Sequence, residues 1–102
     1  MNANEAIVVS LDKDMQDLVP LFMKQRESDI ASLSSALAAG DYETLRKVGH
    51  SLAGAGASYG FPRISEIGVT LEAAAKARAN SDAVQAVAAF NDYMRRLVVQ
   101  YV

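Results

Sequence analysis

Apolar residues recur every three or four positions through most of this chain. From Asp41 to Tyr59 the recurring set is Leu45, Val48, Leu52, Gly56 and Tyr59. At about 100° per residue these positions gather on one side of a helix, as a stripe facing a core. Upstream, Phe22, Ile30, Leu33 and Leu37 form a second stripe ending at Gly40, a residue suited to the left-handed position after a helix. Asp41 follows at once and can cap the next helix, so the two helices are expected to be antiparallel neighbours. Downstream, Gly60-Phe61-Pro62 breaks and restarts the pattern. Ile64, Ile67, Leu71 and Ala74 or Ala75 mark a further helix that frays near Ala79-Asn80. Ser81 or Asp82 is then the expected cap of a last helix carrying Val87, Phe90, Met94, Leu97 and Tyr101.

The start of the chain is less regular. Residues 1–6 read as a loose polar start, and Ile7-Val8-Val9 as an extended segment against the bundle. Ser10 or Asp12 can cap a short helix reaching about Leu18, with a new helix from about Pro20; a single kinked helix is the alternative. Together the pattern predicts an all-α fold, an antiparallel up-and-down four-helix bundle with a short additional N-terminal helix. The 102 residues suffice for one core, so residues 1–102 are read as a single domain.

Composition narrows the function. The chain has no cysteine, which removes disulfides, thiol chemistry and cysteine-bound metal. A net charge of −2 gives no basic footprint for nucleic acid. No apolar run approaches the ~18 residues of a membrane span, and Ala6-Ile7-Val8-Val9 is too short for a signal peptide, so a cytoplasmic location is expected. The starting Met1 leads to the expectation of a whole protein rather than an excised domain.

His50 is the one histidine. Helical phase sets it about 160–240° from every residue of the Leu45–Tyr59 stripe, near the middle of the solvent face. Arg46, Lys47, Ala53 and Gly54 lie one turn away, and Glu43 and Ala57 two turns away. An ordinary solvated histidine is the plain alternative. Against it stands the clearing that Ala53, Gly54 and Ala57 leave around the ring. Gly54 and Gly56 each cost the helix roughly 1 kcal/mol relative to alanine, and Gly54 faces the His50 side, where it can admit a backbone or a phosphate.

Several chemistries fail on these residues. Ser51 adjoins His50 and diverges from it by about 100° on a helix, so no hydrolase triad forms there. One histidine without cysteine or a nearby carboxylate pair falls short of a metal's ligand count. No Gly-x-x-x-x-Gly-Lys loop is present, so nucleotide binding has no support. Covalent chemistry on the imidazole remains. A phosphoryl group there would sit beside Arg46 and Lys47, and a partner carrying Mg²⁺ would supply much of the remaining charge stabilisation.

The run Gly49-His50-Ser51-Leu52-Ala53-Gly54, followed by Ala55, Gly56, Ala57 and Gly60, resembles the histidine-containing phosphotransfer (HPt) domains of two-component phosphorelays. That family's pattern is a small residue, the phospho-accepting His, any residue, Leu, Lys, Gly, small residues, and a Gly ten positions after the His. The likeness extends upstream through Leu33, Leu37, Ala39-Gly40-Asp41 and Leu45, and downstream to Leu71-Glu72. It implies a phosphoryl carrier without its own ATP site and without a resident cofactor. His50 would accept from a receiver-domain aspartate and pass the group to another receiver, with Mg²⁺ held by the receiver and Gly54 keeping the approach clear. The expected partners are receiver domains of a hybrid histidine kinase or response regulator, and the chain itself is expected to be a monomer. One position departs. The family's lysine three residues after the His is Ala53 here, and Lys47 or Arg46 is the expected substitute. Docking is expected on Ala53, Gly54 and Ala57, flanked by Met23 and Arg26. A helical module that docks on a receiver or kinase without taking phosphate is the alternative function.

Overall fold

The computed structural model describes residues 5–102, so most of the polar start read for residues 1–6 lies outside the described residues. The chain runs through β1 (Ile7–Leu11), α1 (Val19–Ala39), α2 (Tyr42–Tyr59), α3 (Pro62–Lys76), α4 (Asn80–Arg96) and β2 (Leu97–Tyr101).

Among the described residues, the boundaries of α1 and α2 and the start of α3 fall where local chemistry directs them. Pro20 occupies the first turn of α1, where its missing N–H costs no intrahelical bond. Gly40 closes α1 at φ 64°, its N–H donating to the carbonyls of Ala36 and Leu37. Asp41 then caps α2, its carboxylate accepting from the Thr44 N–H at 3.1 Å and the Thr44 hydroxyl at 2.6 Å. Gly60 at φ 86° ends α2, and Pro62 opens α3.

Three expectations need correction. The short N-terminal helix is one 3₁₀ turn, Lys13–Met15, with the Asp12 carboxylate accepting from the Asp14 N–H at 2.8 Å. The last helix starts at Asn80 without a side-chain cap from Ser81 or Asp82, and it stops at Arg96. Leu97–Tyr101 is extended and pairs in parallel with Ile7–Leu11, so the fold is not purely helical. The reason lies in an ambiguous spacing. Leu97 and Tyr101 share a face four residues apart on a helix, and they share a face equally on a strand. Val98 and Val99 favour the strand, because β-branched side chains fit a pleated surface better than a helical one. The register matches Ile7 with Leu97 and Leu11 with Tyr101. On the inner face Ile7 and Val9 meet the core beside Leu97, Val99 and Tyr101, while Val8 and Val98 face outward.

The core lies between the helices. Phe61, Phe90, Leu33, Leu45, Leu52, Ile64 and Leu71 are its largest fully buried side chains. Phe22 stacks on Phe61 with ring centroids 4.8 Å apart and also meets Tyr59 at 4.9 Å. Ile30, Leu37, Val48 and Tyr59 are half-buried at its margins. α2 and α3 approach most closely because each has glycine where they meet. A methyl group at Gly56 would stand 2.5 Å from the Ser65 nitrogen, and one at Gly49 would stand 2.8 Å from the Glu72 nitrogen. Followed back from Gly56 to Gly49, α2 therefore meets α3 progressively from Ser65 to Glu72. None of the described helices is long and apolar enough to cross a membrane.

Candidate functional site

His50 sits midway along α2 with 75% of its side chain exposed. Its neighbour Gly49 points the other way, into α3, and the absence of a side chain there brings the α3 backbone against α2. That contact carries Glu72 to the ring. Glu72 Oε2 lies 3.1 Å from His50 Nδ1, and the Glu72 side chain is 19% exposed. A carboxylate can only accept, so Nδ1 carries the proton in this pair and a neutral ring keeps its lone pair on Nε2. The outer nitrogen is the nucleophilic one. Ser65 adds a further tie between the helices, its hydroxyl donating to the Ala53 carbonyl at 2.7 Å.

Glu72 had no assigned role in the sequence reading, although it lies within the family likeness. Its signal is modest: it is one step off the inward position of Leu71, at the boundary between core and solvent, on the helix that follows the lone histidine. The same carboxylate oxygen also lies 3.8 Å from Lys76 Nζ, one helical turn further along α3.

The other residues singled out from sequence are distributed unevenly. Gly54 and Ala57 are exposed, and a methyl added at Gly54 would meet no atom within 4 Å. Ala53 is half-buried between His50 and α3, with its backbone against Gly68. Lys47 is exposed. Arg46 is committed elsewhere, its guanidinium donating to Glu43 at 2.7 and 3.2 Å. The hydrogen bond to Arg46 holds the Glu43 carboxyl below its ordinary value and raises that of Arg46 in return. Met23 is half-buried and packs against the core.

Arg26 does not flank the site as expected. It is 3% exposed, with Nε 2.8 Å from Asp29 Oδ2 and its guanidinium 4.6 Å from the centre of the Phe22 ring. The aliphatic stem and the planar head are both absorbed by α1's inner surface, which an arginine tolerates when a carboxylate and an aromatic face receive it. Among the described residues no group of three or more His, Asp or Glu side chains is arranged to hold a metal ion.

A family profile described as the Hpt domain matches residues 17–100. The chain belongs to the Hpt domain family. That family's role is phosphotransfer in two-component signalling, and the matched span takes in α1 to α4. Comparisons with curated proteins and with solved structures returned no match. The chain has the helical frame, with His50 exposed on α2 and Ala53 three residues after it.

Proposed function

We propose that this Hpt domain is a phosphorelay carrier, with His50 accepting a phosphoryl group from a receiver-domain aspartate and passing it to another receiver. The observation that carries the reading is the His50–Glu72 pair, with Nδ1 held at 3.1 Å and the rest of the ring open to a partner. In the forward step the Nε2 lone pair attacks phosphorus, the N–P bond forms, and the aspartyl O–P bond breaks. The aspartate leaves as a carboxylate. No proton has to move, because Nδ1 keeps its hydrogen and the ring becomes cationic. Glu72 offsets that new positive charge and fixes the ring's orientation, so the histidine arrives already aimed. The reverse sequence hands the group to the second receiver.

Mg²⁺ on the receiver would neutralise the charge on the transferring oxygens, and the carrier needs no ATP site of its own. The docking face proposed for the receiver is His50 with Ala53, Gly54 and Ala57, on an up-and-down antiparallel bundle acting as a cytoplasmic monomer. Arg26, being buried, is left out of it. Gly54 is open enough to let the receiver's backbone come near, and enlarging Gly54 or Ala57 should weaken receiver binding.

The test mixes the protein with a phosphorylated receiver and follows label onto the chain. Wild type should acquire an acid-labile label, and His50→Gln should acquire none. Ala53, which removes the family's cation, favours the second reading of a docking module that takes no phosphate. Receiver binding without label on wild type would establish that reading and refute the carrier.

A further inference from the structure

The cation missing at residue 53 has a geometric substitute on the neighbouring helix. Residue 53 lies one turn C-terminal to His50. Helical side chains lean toward their own N-terminus, so a lysine there would lie back over the imidazole. Lys47 and Arg46 sit one turn on the other side and lean away from the ring. Arg46 is also engaged by Glu43 through two of its nitrogens.

Lys76 has the favourable direction. α3 meets α2 from Ser65 beside Gly56 to Glu72 beside Gly49, and Lys76 is one turn beyond Glu72. Its backward lean brings Nζ to 3.8 Å from Glu72 Oε2, the oxygen that is itself 3.1 Å from His50 Nδ1. The side chain is 61% exposed, on a flexible four-carbon stem with three donors at its tip. It is therefore loosely tethered to the carboxylate that holds the ring, and free to move.

We propose that Lys76 supplies the positive charge for the phosphoryl group on His50, a role that rests on the acceptor reading above. Before transfer the ammonium is shared with Glu72. When the phosphoryl group bonds to Nε2, the cationic ring takes up Glu72, and the ammonium turns to the phosphoryl oxygens. Lys76 makes and breaks no covalent bond. It relocates the family's counter-charge from the histidine's own helix to the adjacent one.

The experiment uses the full chain with phosphoramidate as a small phosphoryl donor, so that receiver docking does not enter. Label uptake on His50 is followed at low and at high salt. Lys76→Ala should slow uptake about tenfold, the scale of one charge-assisted contact, and should lose most of the salt dependence of the wild type. Lys76→Arg should retain the rate. Adding Ala53→Lys to Lys76→Ala should restore it, which a purely structural role of Lys76 would not allow. Arg46→Ala and Lys47→Ala should leave uptake near wild type. Unchanged rate and salt dependence in Lys76→Ala, with the wild type labelled, would overturn the Lys76 role alone. A wild type that takes no label from phosphoramidate or from any phosphorylated receiver would instead remove the acceptor reading itself.

Discussion

Gly68 should be the least replaceable small residue in the chain. An alanine methyl there would meet the Ala53 backbone nitrogen head-on, and would stand 2.6 Å from the Gly49 carbonyl oxygen and 2.9 Å from the Leu52 carbonyl carbon. All three obstacles are backbone, so no rotamer change relieves them and α2 and α3 must move apart. Overpacking of this kind costs about 1–3 kcal/mol, and backbone obstacles place Gly68→Ala near the upper end. Alanine's better helix propensity returns about 1 kcal/mol, leaving a net loss of about 2 kcal/mol. At about 4 °C per kcal/mol for a domain near this size, the midpoint of thermal unfolding should fall by about 8 °C. Gly54→Ala is the matched control, since nothing lies within 4 Å of its added methyl. It should gain about 0.5–1 kcal/mol and melt a few degrees higher. Circular dichroism at the helix band, on both variants and wild type, reads the difference. A Gly68→Ala protein melting at or above wild type would show that the two helices are not held as closely as argued.

Two further outcomes follow from residues away from the histidine. Arg26→Ala should destabilise the fold by about 3 kcal/mol in urea titration, because it leaves the Asp29 carboxylate buried without its partner. Replacing both with apolar residues, Arg26→Met with Asp29→Leu, should recover most of that loss; equal losses would mean the pair itself is a net stabiliser. The Asp41 carboxyl is held below its ordinary value chiefly by its hydrogen bonds from Thr44. A group depressed in the folded state stabilises above its unfolded value of about 4, and that stability is lost as pH falls through the folded value. Asp41→Asn keeps an acceptor at the cap and removes the titration, so its melting temperature should fall less steeply than wild type below about pH 4. Parallel acid limbs would assign the acid sensitivity to other carboxylates.

The parts legible in sequence were those decided within one helix. The stripe of Leu45 and Leu52, the stripe of Ile64, Ile67 and Leu71, the Gly40-Asp41 boundary and the outward phase of His50 all follow from spacing along a single segment. What escaped depends on how segments meet. Glu72 reaches His50 across 22 residues, and only the glycine contact between α2 and α3 sets that register. Gly68 is merely an unfavourable helix residue until Gly49 and Ala53 are placed against it. Arg26 carries the label of a surface residue, and its burial depends on Asp29 and the Phe22 ring being arranged beneath it. Strand β2 was hidden because its inward residues satisfy two periodicities at once, and its pairing partner lies at the other end of the chain.

The pairing of β1 with β2 has a mechanical consequence. The strands join segments 90 residues apart, and they run in the same direction. Tension applied at Glu5 and at Val102 would therefore pull the two strands past each other lengthwise. Every rung of the ladder would bear load together, whereas opposed strands pulled from adjacent ends give way one rung at a time. Helices α1 to α4, with His50 exposed on α2, lie between the two clasped segments along the chain. A chain tethered at both sides would strain the sheet first, leaving the helix pair that holds His50 undisturbed until the clasp opened.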